Sequence, residues 1–163
     1  GGGPSDVVEL TLVLAREMLG AAGLDGVDPA DALADGRAMD VWRAMIAAQG
    51  GDVDAPLPTA AETHVVAAPA TGTLGRLDAL AVGVAAWRLG AGRARKEDAV
   101  SAGAGVVMLA KPGDAVVAGQ PLLELRTDEP ARFAGALQVL EGGIDVAAAP
   151  FERGPLVLDR ISA

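Results

Sequence analysis

The stretch Lys111-Pro112-Gly113-Asp114-Ala115-Val116-Val117-Ala118-Gly119-Gln120-Pro121-Leu122-Leu123 sets two glycine-bearing turns on either side of a very short β-branched run. Gly113 and Gly119 let the backbone reverse where a Cβ would obstruct it, and Val116-Val117 suits a pleated strand. A chain that reverses twice over so few residues predicts a small β-sandwich. Further strands are predicted on both sides of it, over 106–110 and 122–125. Upstream, 63–67 and 71–74 read as short strands around Pro69 and Gly72. Asp78 is placed to cap a helix reaching Leu89, with Leu80, Val84 and Trp87 as its buried stripe. Downstream, Asp128-Glu129-Pro130 opens a helix with Phe133, Leu137 and Leu140 on one face, and 144–146 and 156–161 read as closing strands.

The first third has a different period. Val7, Leu10, Leu14 and Met18 recur every three to four residues, which predicts an amphipathic helix over 6–19 that ends at Gly20 and Gly23. Asp28-Pro29 reads as an N-cap followed by proline at the first helical position of a short helix. Met39, Trp42, Met45 and Ile46 then mark one face of a third helix that stops at Gly50-Gly51. Between Asp52 and Ala60 two prolines and the lack of any helical period predict an extended linker. Charge divides the chain at the same place, because residues 1–54 hold ten acids against three bases. The predicted organisation is therefore α+β, with a helical segment over 1–54, a linker over 55–61 and a C-terminal α+β domain over 62–163.

The 163 residues carry a formal net charge of −9, and 51% of them are hydrophobic against 21% charged. That is enough apolar material for a core, so the composition is not that of a disordered chain. Aromatic residues make up only 2%, namely Trp42, Trp87, Phe133 and Phe151, so the core must rest on Ala, Val and Leu. Net negative charge opposes nucleic acid and anionic membranes, and no apolar run approaches the roughly 20 residues of a spanning helix. The lack of cysteine fits a reducing compartment, and the chain is expected to be cytoplasmic. The opening Gly1-Gly2-Gly3-Pro4 has neither an initiator Met nor a signal pattern, which predicts that the chain begins inside a longer one.

Few residues are available for chemistry: one histidine (His64), three serines, two lysines and no tyrosine. His64 lies between Thr63 and Val65 in a predicted strand, with no motif tying it to a serine elbow, and reads as structural. One imidazole without thiolates makes a poor metal site, and Asp25, Asp28 and Asp31 lack the full calcium-loop pattern; no metal is expected. The one concentration of positive charge is Arg88, Arg93, Arg95 and Lys96, interleaved with Gly90 and Gly92. Guanidinium groups there could meet phosphate or carboxylate; alternatively Glu97 and Asp98 neutralise the cluster, as in many surface loops. No catalytic or substrate-binding residue is assigned.

The two-turn segment is also the pattern of biotinyl and lipoyl carrier domains. The hairpin that would bear their prosthetic group here reads Glu124-Leu125-Arg126-Thr127-Asp128, with no lysine, so the fold signal survives and the carrier role does not. GGGPSDVVELTLVLAREML, ALADGRAMDVWRAMIAAQGGD, RLDALAVGVAAWRLGAGRARKED and VVMLAKPGDAVVAGQPLLELRTDEPARF, in that order, resemble the C-terminal part of the thymidine and pyrimidine-nucleoside phosphorylases. The resemblance implies an α/β-hammerhead-like, barrel-sandwich C-terminal domain. It also implies a parent enzyme, a pentosyltransferase and homodimer needing no organic cofactor, which transfers the sugar of a pyrimidine nucleoside to phosphate. The family's phosphate-binding Lys-x-Ser-Thr-Gly-Gly loop does not occur in this sequence, so the isolated chain is expected to be inactive. Its partner would be the remainder of the parent, which also holds the groups that choose between thymidine and uridine. Gly90, Gly92, Arg93, Arg95 and Lys96 are then candidates for a loop that closes over substrate. The alternative is a noncatalytic biotinyl/lipoyl-like sandwich module acting in binding or assembly.

Overall fold

The computed structural model describes residues 2–148, 151–152 and 154–161. The chain divides into two compact units, one running to Pro56 and including the segment from Gly154, the other spanning Leu57–Arg153.

The first unit contains three helices, α1 (Ser5–Ala21), α2 (Pro29–Ala34) and α3 (Arg37–Ala48). Asp28 caps α2 as the Asp-Pro pair predicts: its carboxylate accepts from Ala30 N at 3.1 Å while Pro29 takes the first helical position. The same carboxylate pairs with Arg16 of α1 at 3.0 Å and is held below its ordinary pKa, mainly by the Ala30 N–H and then by Arg16. No residue of these three helices is buried. Their apolar faces stand open, with Met18 74% and Val41 70% exposed.

The second unit carries two three-stranded antiparallel sheets. Its elements are β1 (Glu62–Ala67), β2 (Gly72–Leu77), α4 (Ala79–Ala86), β3 (Gly105–Met108), β4 (Ala115–Val116), β5 (Pro121–Thr127), α5 (Arg132–Leu140) and β6 (Ile144–Ala147). One sheet has the order β1-β5-β3 and the other β4-β2-β6. The two glycine turns are where the chain changes sheet. From β3 it passes through Gly113 (φ 100°) to β4 in the second sheet, then through Gly119 (φ 83°) back to β5 in the first. Both turns are bonded to the region around β2: Gly113 N donates to Leu74 O at 2.8 Å, and Gly119 N to Ala68 O at 2.9 Å. The core follows from this exchange. Leu122, Leu123 and Leu125 of β5 lose all exposure, as do Leu74, Ala85, Leu89 and Ala136 from the elements around them.

Two expectations are corrected. The buried face of α4 is not Leu80, Val84 and Trp87; Leu80 is 77% exposed and Trp87 is exposed too, while Ala85 and Leu89 are buried and Ala81 and Val82 pack on the core. Every α4 residue is apolar or glycine, so periodicity cannot single out a face, and the small alanines are what a neighbouring helix can approach most closely. Secondly, 156–161 forms no strand among its described residues, and this segment groups with the first unit. There Arg160 pairs with Glu17 at 2.6 Å, and among the described residues no strand pairs with 156–161.

Leu125→Ala is expected to cost about 2–5 kcal/mol in urea denaturation, because it opens a cavity under the central strand. Leu80→Ala should change stability by no more than about 0.5 kcal/mol. Equal losses at the two positions would contradict this placement of the core.

Candidate functional site

The charge-and-glycine cluster lies where α4 ends. After Ala86 the helix widens into a π-type turn over Trp87–Ala91, and Gly90 at φ 113° stops it, a conformation that only glycine adopts without strain. A π-type turn leaves a carbonyl without its usual partner. Here the buried Thr127, at the end of β5, donates its hydroxyl to Leu89 O at 2.7 Å, and Glu129 N donates to that hydroxyl at 3.2 Å. Gly92 is needed for a second reason: a Cβ there would stand 2.6 Å from Cδ1 of Trp87, so the indole lies against bare backbone.

Beside this turn lies an open cleft of about 850 Å³. Its wall holds two guanidinium groups, Arg88 and Arg132, and three carboxylates, Asp98, Asp128 and Glu129. Arg132 pairs with Glu129 at 2.9 Å, which with the field of Asp98 raises its pKa further. Arg88 donates to Gly135 O of α5 at 3.3 Å. Asp128 accepts from Ala61 N at 3.0 Å and from Ser101 Oγ at 2.9 Å, and these bonds, the backbone one first, hold its carboxyl below the ordinary value.

The predicted loop residues separate in the structure. Gly90 and Gly92 line the cleft, whereas Arg93, Arg95 and Lys96 do not. Arg93 turns back to donate to Lys96 O at 3.2 Å. Among the described residues Glu97 and Asp98 make no ion pair with Arg93, Arg95 or Lys96. Instead Asp98 accepts from Ala94 N at 3.2 Å and Arg95 N at 2.9 Å, so its carboxylate shapes the loop. Arg95 and Lys96 make no side-chain hydrogen bond or ion pair among the described residues.

Sequence reading missed Ser101, Asp128, Glu129 and Arg132 as one group. Asp128-Glu129-Pro130 reads as a helix start, and only the tertiary fold brings it to Ser101, 27 residues away. His64 is elsewhere, its ring 5.6 Å from that of Phe133, so no imidazole reaches Ser101. Ser101 donates its hydroxyl to the Asp128 carboxylate, and no histidine is among the residues that line the cleft. Among the described residues no three His, Cys, Asp or Glu side chains gather as a metal-binding group, and no helix is long and apolar enough to cross a membrane.

Residues 73–147 match the family model described as the pyrimidine nucleoside phosphorylase C-terminal domain. A thymidine phosphorylase of Mycobacterium tuberculosis is 53% identical over 161 residues, which is 99% of this chain and 38% of that protein. A pyrimidine-nucleoside phosphorylase of Geobacillus stearothermophilus is 36% identical over 99% of the chain and 40% of its own length. One of Bacillus subtilis is 39% identical over 77% of the chain and 31% of its own length. The chain thus spans well under half the length of these relatives.

Asp128 should titrate with a midpoint below 3.8 when its carboxyl carbon is followed by NMR. A depressed folded-state pKa means that the stabilisation is in full force at pH values above the ordinary carboxylate pKa and is lost as pH falls through the lowered one. Ser101→Ala should move the midpoint upward but leave it below 3.8, because the Ala61 N–H remains. A midpoint at or above 3.8 in the unsubstituted chain would contradict the bonded geometry.

Proposed function

The chain belongs to the thymidine and pyrimidine-nucleoside phosphorylase family through the C-terminal portion of its members, and from that premise we propose that it serves as the covering part of a thymidine phosphorylase. The parent reaction breaks the bond between the pyrimidine nitrogen and C1′ of the sugar. A phosphate oxygen bonds to C1′, giving 2-deoxyribose 1-phosphate, and the base departs with the electron pair and takes up a proton. The observation that carries this reading is the 53% identity to a thymidine phosphorylase over 161 residues. A noncatalytic carrier-like module is not favoured, because the relatives are phosphorylases along almost the whole chain.

Within that enzyme the second unit takes the α/β-hammerhead arrangement. The remainder of the enzyme supplies the phosphate and nucleoside contacts. The open apolar faces of α1 and α3, with Val7, Leu14, Met18, Met39 and Trp42 all exposed, support a packed neighbour there. The parent works as a homodimer in the cytoplasm. The loop over 90–96 has a closure role: Gly90 and Gly92 shape its base, and Arg93, Arg95 and Lys96 become engaged when the cleft between domains shuts and water is excluded.

The test is the triple substitution Arg93→Ala, Arg95→Ala and Lys96→Ala in the complete enzyme. It should lower kcat/KM for thymidine by roughly 10- to 100-fold, the scale of a misplaced closing element. Unchanged phosphorolysis at both saturating and subsaturating substrate would reject the closure role.

A further inference from the structure

Three segments far apart in sequence meet at the carboxylate of Asp128. Its Oδ1 accepts from the backbone N–H of Ala61, just before β1, and its Oδ2 accepts from the hydroxyl of Ser101. Ser101 in turn donates its own N–H to Gly90 O at 2.9 Å. The residue before Asp128, Thr127, holds Leu89 O. Both ends of the 90–101 loop are therefore fastened to one corner, the point where β5 gives way to the turn before α5. The exit of the loop is also pressed on the segment leading into β1, since a Cβ on Gly103 would lie 2.6 Å from Ala60 N and 2.7 Å from the carbonyl carbon of Thr59. Between these fastenings the loop is bonded only to itself. Arg93 reaches Lys96 O, and Ala94 and Arg95 reach the Asp98 carboxylate. Among the described residues, 93–98 makes no hydrogen bond or ion pair outside the loop. A compact loop with tied ends and internal bonds keeps its shape and shifts as a unit, so its position is decided at its ends.

We propose that Asp128 is a positioning residue, whose carboxylate clamps Ser101 to the approach of β1 and thereby sets where the 93–98 loop stands at the rim of the cleft. The arrangement suits this work. One carboxylate has two oxygens, each spent on a different segment, and a charged acceptor forms the stronger kind of hydrogen bond. The Ser101 link is the one that bears on the loop, because Ser101 is the residue at its exit and is also bonded to Gly90 at its entry, whereas Ala61 lies before β1. The effect of the clamp on turnover rests on the proposed phosphorylase reading; the clamp itself can be tested in the present chain.

Amide hydrogen exchange on the full 163-residue chain separates the two. Ser101→Ala should speed exchange over 93–100 by roughly 3- to 10-fold while leaving the β1–β5 ladder unchanged. Ser101→Thr, which keeps the hydroxyl, should restore the native rates. Asp128→Ala should loosen the same amides and Ala61 as well; should that variant fail to fold, the Ser101 pair decides the question. Equal loop exchange in Ser101→Ala and the unsubstituted chain would overturn the proposal, as would a loosening of the ladder as large as that of the loop. In the complete enzyme Ser101→Ala should alter KM and kcat together, and Ser101→Thr should rescue both. If the loop loosens in exchange but the kinetics stay fixed, the clamp stands and the closure reading falls.

Discussion

Burial of β5 is the constraint on which the second unit depends. The strand lies between β1 and β3, and Leu122, Leu123, Leu125 and Thr127 are all sealed from solvent. Leu123, Leu125 and Thr127 share one face, and a slip of one residue would put Glu124 and Arg126 in their place, so the register is fixed and with it the end of the strand. Thr127 at its end holds Leu89 O, and Asp128 directly after it holds Ser101 and Ala61. The cleft is thus built from the end of the most deeply buried strand, and a loop with few contacts of its own inherits its position from the core.

Much of this fold could be read from local chemistry. Gly113 and Gly119 mark the turns, Asp28-Pro29 marks the start of α2, and Asp78 caps α4 by accepting from Ala81 N as read. Each of these signals acts within a few residues. What the sequence hid was decided at longer range. The face of α4 could not be read because all its sides are apolar, and α5 selected the alanines. The strand predicted over 156–161 had suitable residues but no pairing strand among the described residues. Likewise the basic cluster read as one patch, yet Arg88 extends to α5 and Arg93 folds back on its own loop, while the Arg95 and Lys96 side chains make no hydrogen bond or ion pair among the described residues. The group at Asp128 was invisible because no sequence rule links residues 61, 101 and 128.

The contrast between the two units bears on function. The second unit has its own core, whereas no helix of the first unit buries a single residue. Large apolar side chains stand exposed on these helices, and the relatives are more than twice as long as the stretch they share with this chain. The guanidinium groups of the cleft bond to carbonyl oxygens and Glu129, and its serine to a carboxylate.

The most direct test of this account is a phosphorolysis assay on the purified chain, with thymidine and inorganic phosphate supplied and release of thymine followed. The proposed function predicts no turnover by the chain alone under conditions in which a full-length thymidine phosphorylase is active. Sustained release of thymine by the isolated chain, free of host enzyme, would contradict it, because the groups that hold phosphate and nucleoside would then have to lie within these residues.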